Sequence, residues 1–163
     1  MRVRYNMVCC YVVRPAAGHE NVDAGEIEFL QIRRSADDFM GGTWQTVYGT
    51  SEENETAWAA AVRELKEETG LAARELYRLE PVDVFYIAPQ DTLWHSVQFC
   101  AVVGRDDVVR LNDEHDASRW LPRKEAAAQF MWLANQAAVT AIVDLLRGSL
   151  AKPHARVLPA RKP

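Results

Sequence analysis

GTSEENETAWAAAVRELKEETGL, residues 49–71, is the stretch of this sequence that decides its fold. Its middle is rich in alanine and other helix-forming residues, so we predict a helix over about residues 56–69. Asn54 and Thr56 are suitable residues to cap the start of this helix, and Gly70 is suitable to end it. The stretch therefore predicts a turn, a helix and a second turn in close succession.

Three glutamates lie on this helix at spacings of three and four residues: Glu64, Glu67 and Glu68. Side chains at such spacings share one face of a helix, so we expect the carboxylates to converge. Like charges this close destabilise a helix unless a cation lies among them, and grouped carboxylate oxygens suit Mg²⁺, Mn²⁺ or Ca²⁺. An acidic run without further features is more often a solvated helix face than a metal site. The other residues of the stretch must therefore distinguish these two interpretations.

Two further residues of the stretch fit a metal-binding interpretation. Arg63 precedes Glu67 by one helical turn and follows Glu55 by about two turns, so it can hold both carboxylates in place. Gly49 lets the backbone turn sharply, and its carbonyl can point at the same cluster. The residues alone therefore predict a carboxylate cluster with its own supporting arginine.

All nine specified positions of the Nudix box are present in the stretch, and on these residues the chain resembles the Nudix hydrolase family. The matching residues are Gly49, Glu55, Arg63, Glu64, Leu65, Glu67, Glu68, Gly70 and Leu71. The resemblance implies an α/β fold, an α/β/α sandwich with a mixed sheet, over nearly the whole chain. It also implies hydrolysis of a nucleoside diphosphate linked to another group.

Composition is ordinary for a globular protein of 163 residues, so we predict one domain over residues 1–150 and a basic, flexible tail over 151–163. A net charge of −4 argues against a nucleic-acid partner. Cys9, Cys10 and Cys100 lie in apolar runs, which predicts buried free thiols in a reducing cytoplasm. We expect no signal sequence and no membrane span.

Apolar patterning predicts a strand at residues 7–13, a loop at 16–25, a strand at 26–33 and a short strand at 44–48. Further strands are expected at 82–87, 96–103 and 118–121. A helix should follow Pro122, and an amphipathic helix should span residues 135–146.

Outside the box, Glu114 is the main candidate for the base that activates water, with Glu67 as the alternative. His115 is a weaker rival. Arginine side chains suit phosphate oxygens, and Arg33 and Arg34 end the second predicted strand. The resemblance favours Arg34, which matches the position where the family commonly holds a substrate phosphate.

Several aromatic residues are candidates for stacking on the ring of a substrate: Trp44, Phe85, Tyr86 and Trp94. Trp132 and Asn135 are expected to close one side of the pocket. The substrate-binding prediction therefore comprises Arg34, Arg33, Trp44, Tyr86 and Asn135.

Within the family, the sequence resembles most the group that hydrolyses dihydroneopterin triphosphate and dATP. It departs from that group at Gln136, where the group often has arginine, and at Asn54, where it usually has glycine. The expected reaction releases a monophosphate and pyrophosphate with Mg²⁺, or Mn²⁺ as a substitute. The alternatives are a dinucleoside polyphosphate hydrolase, for which Tyr86 is nearly at the expected position, and a non-catalytic nucleotide sensor. The family resemblance is also compatible with a homodimer.

Overall fold

The computed structural model of the chain describes residues 1–22, 26–148 and 151–158. Its strands are β1 (Arg2–Pro15), β2 (Ile27–Arg34), β3 (Trp44–Gln45), β4 (Val47–Thr50), β5 (Glu75–Ile87), β6 (Thr92–Val102), β7 (His115–Pro122) and β8 (Arg156–Leu158). Its helices are α1 (Ala57–Thr69), α2 (Arg123–Gln129), α3 (Leu133–Arg147) and α4 (Ala151–Ala155). A short 3-10 turn, Ala88–Gln90, joins β5 to β6.

β1 is the central strand of a mixed sheet. It runs parallel to β6 and antiparallel to both β2 and β4, and the main path of the sheet is β3-β2-β1-β6-β5-β8. β7 pairs with β2 off this path. Gly49, the first residue of the Nudix box, therefore lies on a strand that pairs directly with the central strand β1.

The side chains of β1 alternate between two buried clusters, which explains its uninterrupted apolar run. Cys9, Tyr11 and Val13 pack in the cluster that contains α2 and α3. Val8, Cys10 and Val12 pack in the cluster that contains α1. The sheet is therefore covered on both faces, and the predicted α/β/α sandwich with a mixed sheet is confirmed.

Helix α1 begins and ends where its sequence predicts. The Thr56 side chain accepts a hydrogen bond from the Ala59 N–H at the N-terminus, and Gly70 adopts a left-handed φ of 70° at the C-terminus. Asn54 has a positive φ of 65° in the preceding turn, a conformation that asparagine tolerates. Helix α1 is consequently held at a fixed length between two defined turns.

Several expected boundaries differ from the structure. The strand expected at 44–48 is interrupted at Thr46, whose hydroxyl donates to the Cys10 carbonyl at 2.6 Å. Of the expected loop at 16–25, residues 23–25 lie outside the described residues. None of the helices in the described ranges is both long and apolar enough to span a membrane.

The C-terminal region differs from the predicted flexible tail. Residues 151–158 form α4 and β8, and β8 pairs with the outer edge of β5. Arg156 reaches the Glu75 carboxylate at 2.9 Å, which helps to fix this added strand. The basic composition of the segment did not indicate a strand, although Arg156 of this strand bonds to an acidic residue of β5. Residues 159–163 lie outside the described part of the chain.

Candidate active site

Arg63 bonds to three carboxylates of the acidic cluster. Its guanidinium donates to both carboxylate oxygens of Glu55 at 3.0 Å, to Glu64 at 2.9 Å and to Glu67 at 3.0 Å. It also donates to the Thr50 carbonyl at 2.9 Å, which ties the helix to the end of β4. These charge-assisted bonds raise the pKa of Arg63 and lower that of Glu55. Arg63 and Glu55, which were predicted to support the carboxylate cluster, are therefore bonded to each other.

Glu64 lies directly against Gly49. A Cβ atom built on Gly49 would approach the Glu64 Cδ atom to 2.0 Å, so only glycine leaves room for this carboxylate. Burial raises the pKa of Glu64, and its hydrogen bond to Arg63 opposes that rise. Gly49 is thus required by the side chain that packs on it, and its own φ is not positive.

Glu68 is the buried member of the cluster, with 4% of its surface exposed. Its Oε2 atom has no hydrogen-bond partner among the described residues and lies 4.0 Å from the His115 Nε2 atom. Burial raises the pKa of Glu68 strongly, and the negative charges of Glu64 and Glu114 raise it further. A buried carboxylate without a partner is costly, so this oxygen fits the position of a cation ligand.

The carboxylates do not converge as closely as their spacing predicted. Within the described residues, no three His, Cys, Asp or Glu side chains are grouped closely enough to form a ready-made metal site. Arg63 Nη1 bonds to both Glu64 and Glu67, so these two carboxylates are turned toward the guanidinium. The donor set still fits a hard divalent cation, because it consists of carboxylate oxygens and leaves the Glu68 Oε2 atom unpaired.

Glu114 and Arg34 meet beside this cluster. Arg34 Nη1 donates to Glu114 Oε2 at 2.6 Å, and Asp38 lies 3.8 Å from the same guanidinium. Glu114 is half exposed, whereas the neighbouring His115 is buried. Burial lowers the pKa of His115, and the Arg34 charge lowers it further. The structure thus brings Arg34, Glu114 and Glu68 into one region.

Asn112 joins the loop that carries Glu114 to helix α1. Its backbone N–H donates to the Glu68 carbonyl at 3.3 Å, and its side-chain oxygen accepts from the Glu114 N–H at 3.3 Å. The same oxygen lies 3.1 Å from the His115 Nδ1 atom. This role could not be predicted from the sequence, because asparagine in an acidic loop is common and its partner Glu68 is far from it along the chain.

Arg33 and Trp44 are turned away from the cluster. Arg33 binds Asp116 at 2.6 Å, and the Trp44 ring packs against the guanidinium groups of Arg33 and Arg119. Arg34 bonds to Glu114 instead, so the two guanidinium groups occupy different positions. The structure therefore does not bring Arg33 and Trp44 to the predicted substrate site.

A cavity of about 190 Å³ lies next to Arg34, on the sheet face opposite α1. Its walls include five aromatic rings, from Phe39, Tyr48, Phe85, Trp94 and Trp132. The Phe85 and Trp132 rings are stacked, with centroids 6.1 Å apart. Sequence reasoning missed Tyr48, although its place directly before Gly49 could have indicated it.

Two predicted substrate-binding residues are placed differently. Tyr86 is half exposed and donates to Asp91, because β5 turns Phe85 rather than Tyr86 toward the cavity. Asn135 is fully buried behind the cavity, where its side chain donates to the hydroxyls of Tyr11 at 2.6 Å and Tyr48 at 3.3 Å. Its oxygen accepts from the Trp132 N–H at 3.1 Å, so it supports the cavity wall and is not a wall residue itself.

Sequence comparison assigns this arrangement to a family. The sequence model of the NUDIX domain matches residues 12–141, which is most of the chain and includes the whole acidic cluster. The chain belongs to the Nudix family. It is a Nudix hydrolase, as the box residues predicted, and members of this family act on pyrophosphate bonds.

Individual relatives of this Nudix hydrolase differ in their printed functions. The bis(5'-nucleosyl)-tetraphosphatase [asymmetrical] of Rattus norvegicus is 34% identical over 113 residues, which are 67% of this chain and 75% of that protein. An octanoyltransferase of Myxococcus xanthus is 37% identical over 105 residues, or 59% of this chain. The match covers only 27% of the octanoyltransferase, so the Nudix chain spans about a quarter of that relative.

Solved structures confirm the Nudix fold. An Ap4A hydrolase of C. elegans has a TM-score of 0.69 at 21% identity, with 88% of this chain and 97% of that chain covered. The dihydroneopterin triphosphate pyrophosphohydrolase of E. coli has a TM-score of 0.63 at 28% identity, with 83% and 94% covered. The two likenesses agree on the fold and name different substrates.

The contact between Gly49 and Glu64 of this Nudix domain yields a direct prediction. Gly49→Ala should displace the Glu64 carboxylate, because the new Cβ would overlap its Cδ atom. We expect Mn²⁺ affinity to fall about tenfold, as after loss of an interaction that orients a metal ligand. Titration followed by electron paramagnetic resonance would measure it. Gly42→Ala is unsuitable as a control because Gly42 has a positive φ. Ala59→Gly, at a half-buried position near the start of α1, serves instead. Unchanged Mn²⁺ affinity would contradict the proposed packing role.

The placement of Asn135 predicts an effect on stability rather than on substrate binding. Asn135→Ala would leave buried partners unpaired at Tyr11, Tyr48 and the Trp132 N–H. We expect the free energy of unfolding to fall by about 2 kcal/mol. Urea denaturation would measure this loss, with Gln136→Ala on the exposed side of the same helix as the control. A large rise in KM without loss of stability would restore the original prediction of substrate contact.

Proposed function

We propose that this protein is a Mg²⁺-dependent pyrophosphohydrolase of a nucleoside triphosphate-like substrate, either dihydroneopterin triphosphate or a dNTP. The products are a monophosphate and pyrophosphate. The observation that carries the proposal is the unpaired, buried Glu68 oxygen beside a carboxylate cluster and an arginine that faces the same region. A small molecule rather than nucleic acid is the expected partner.

Glu64, Glu67, Glu68 and the Gly49 carbonyl would hold Mg²⁺, for which Mn²⁺ would be a substitute. Bound Mg²⁺ would neutralise phosphate oxygens and make a bound water more acidic. Arg63 keeps Glu64 and Glu67 on one side of the cluster despite their repulsion, since it bonds to both. Its further hydrogen bond, to the Thr50 carbonyl, fixes the cluster relative to β4.

Glu114 is proposed as the base, with Glu67 as the alternative. The oxygen of the attacking water bonds to phosphorus, the bond from phosphorus to the leaving pyrophosphate oxygen breaks, and the water proton moves to the carboxylate. In the structure Glu114 is bound to Arg34 at 2.6 Å. A phosphate chain that binds Arg34 competes with Glu114 for the guanidinium, so substrate binding would release the carboxylate toward the water.

Hydrolysis of dinucleoside polyphosphates is the second candidate. It is favoured by the 34% identity to the rat bis(5'-nucleosyl)-tetraphosphatase. It is not favoured by Tyr86, which the sequence suggested for that group, because the Tyr86 ring points away from the cavity. A cytoplasmic location and a homodimer remain predictions of the sequence.

The proposal is tested by measuring phosphate and pyrophosphate release with and without Mg²⁺. The substrates are dihydroneopterin triphosphate, the four dNTPs, diadenosine tetraphosphate and ADP-ribose, each with wild-type protein and with Glu68→Gln. Mg²⁺-dependent pyrophosphate release from one triphosphate, absent in the variant, would support the proposal. Preferred cleavage of diadenosine tetraphosphate would select the second candidate. Tight binding of one compound without turnover of any would indicate a nucleotide sensor instead.

A further inference from the structure

A buried imidazole lies beside the carboxylate oxygen that has no partner. The His115 side chain is buried, and its Nε2 atom lies 4.0 Å from the Glu68 Oε2 atom. This separation is too long for a hydrogen bond, and the Glu68 oxygen has no other partner among the described residues. Most buried polar atoms in proteins are hydrogen-bonded, so the pair formed by His115 and Glu68 requires an explanation.

The side chain of Asn112 fixes which nitrogen of His115 carries the proton. The Asn112 Oδ1 atom accepts from the Glu114 backbone N–H at 3.3 Å, and this orients the amide because a backbone N–H can only donate. The same oxygen lies 3.1 Å from the His115 Nδ1 atom, so Nδ1 is the donor. Burial and the Arg34 charge lower the pKa of His115, which favours the neutral ring. The Nε2 atom therefore faces Glu68 with a lone pair.

The start of β7 holds the His115 ring in this place. Arg33 is opposite Ala117 in the sheet, whereas Arg34 is opposite His115, so β7 has one extra residue, Asp116, between these pairs. An extra residue of this kind bends a strand and changes the direction of the side chains beside it, and it is common next to active sites. The position of His115 beside Glu68 is thus determined by an irregularity of the strand pairing and by the loop that precedes it.

Two acceptor atoms face each other in this pair, and their lone pairs repel unless a proton or a metal ion lies between them. Two donor atoms that each lie about 2.1 Å from one metal ion are at most about 4.2 Å apart. The separation of 4.0 Å between His115 Nε2 and Glu68 Oε2 is within that limit. We propose that His115 Nε2 is a further ligand of the cation that Glu68 binds.

This nitrogen changes which cations the cluster prefers. Carboxylate oxygens suit Mg²⁺, whereas imidazole nitrogens suit transition metals, whose affinity rises from Mn²⁺ through Co²⁺ to Ni²⁺. With His115 as a ligand, the site prefers Co²⁺ to Mg²⁺ by more than its carboxylates alone would. This role of His115 rests on the proposed function, which places a cation at Glu68, and it adds a basis for the choice of metal.

Co²⁺ alone is the probe, so neither substrate nor turnover is needed. A histidine ring bound to Co²⁺ has proton NMR signals that are shifted far outside the ordinary range. The chain has four histidines, so the spectrum is simple enough to follow one ring. If Nε2 binds the metal, the Nδ1–H remains on the ring, and its shifted signal should disappear only slowly in D₂O because Asn112 holds that proton.

We expect one shifted ring N–H signal in the wild-type protein and none in His115→Phe, which keeps a ring but has no nitrogen. The ratio of Co²⁺ affinity to Mg²⁺ affinity should fall about tenfold in this variant, the lower end of the loss caused by removing the outer partner of a metal ligand. Glu68→Gln should also lose the shifted signal, because the two residues share one cation. His19→Gln is the matched control, since His19 is exposed in the loop after β1.

Absence of a shifted ring signal from wild-type protein saturated with Co²⁺ would overturn the proposal and would indicate a proton between the two residues. A signal that persists in His115→Phe or in Glu68→Gln would also overturn it, as would an unchanged affinity ratio. Each of these results can occur with Mg²⁺-dependent hydrolysis intact, so failure here is distinct from failure of the proposed function. If His115→Phe is destabilised, the wild-type and Glu68→Gln spectra still decide.

Discussion

Glu68→Gln is expected to lower kcat by about 10³-fold while the protein remains folded, the order of loss seen when one catalytic polar group is removed. Glutamine has nearly the same shape as glutamate, so the packing of α1 should not change. It lacks the negative charge that makes the buried Oε2 atom a cation ligand. Pyrophosphate release under saturating substrate and Mg²⁺ would measure the loss.

The same substitution should make the metal-free protein more stable at neutral pH. Burial raises the pKa of Glu68 in the folded state, so between its unfolded and folded pKa values the folded protein binds more protons than the unfolded chain. The free energy of unfolding therefore falls as pH rises through that window, which begins near the ordinary glutamate value of about 4.3. Glu68→Gln removes this contribution to the fall in the free energy of unfolding, because glutamine does not titrate.

Thermal unfolding in the presence of a chelator at pH 4 and pH 7 would measure this difference. Relief of about 1 kcal/mol would raise the Tm at pH 7 by about 2–4 °C for a chain of this size. Glu53→Gln is the matched control, because Glu53 is exposed in the turn before α1. A Glu68→Gln protein with wild-type turnover would refute the metal-ligand assignment, whatever its stability.

Arg63→Lys is expected to have the second-largest effect, a loss of about 10²-fold in kcat/KM. Arg63 uses all of its guanidinium nitrogens on Glu55, Glu64, Glu67 and the Thr50 carbonyl. A lysine ammonium is a single point and cannot reproduce this fork, although it keeps the charge. The carboxylates would then repel each other without a fixed partner between them.

Stability should fall with activity in this variant. We expect the Tm to decrease by about 5 °C, because the cluster loses several charge-assisted hydrogen bonds in a partly buried setting. Arg74→Lys is the control, since Arg74 is mostly exposed and bonds only weakly to Asp107 at 3.3 Å. The supporting role would be refuted if Arg63→Lys bound Mn²⁺ and turned over substrate like the wild type.

The local parts of the fold and site were predictable from the sequence. Helix α1, its Thr56 cap and its Gly70 terminus follow from propensities and cap residues within one stretch. The contacts of Arg63 with Glu55 and Glu67 follow from helical spacing and the short turn before the helix. Each of these features is determined by residues close together in the chain.

Features that depend on sheet register were not predictable. Whether Phe85 or Tyr86 faces the cavity is decided by one residue of strand alternation, and aromatic character does not distinguish them. Asn135 was predicted to bind substrate, but its partners Tyr11 and Tyr48 lie on strands that are far from it along the sequence. The place of Trp94 beside the cavity could be recognised only after the pairing of β6 with β5 was known.

The parallel pairing of β1 with β6 has a consequence for how the chain is made. β1 leaves the ribosome before β6, whose paired residues run to Val102, so this pairing must wait until the elements between the two strands have been synthesised. At about 5–20 residues per second, that delay lasts several seconds. During this time the apolar sequence of β1 lacks its central neighbour and is exposed to other chains. β2 and β4, which are synthesised earlier and pair with the same strand, can shield part of it until β6 arrives.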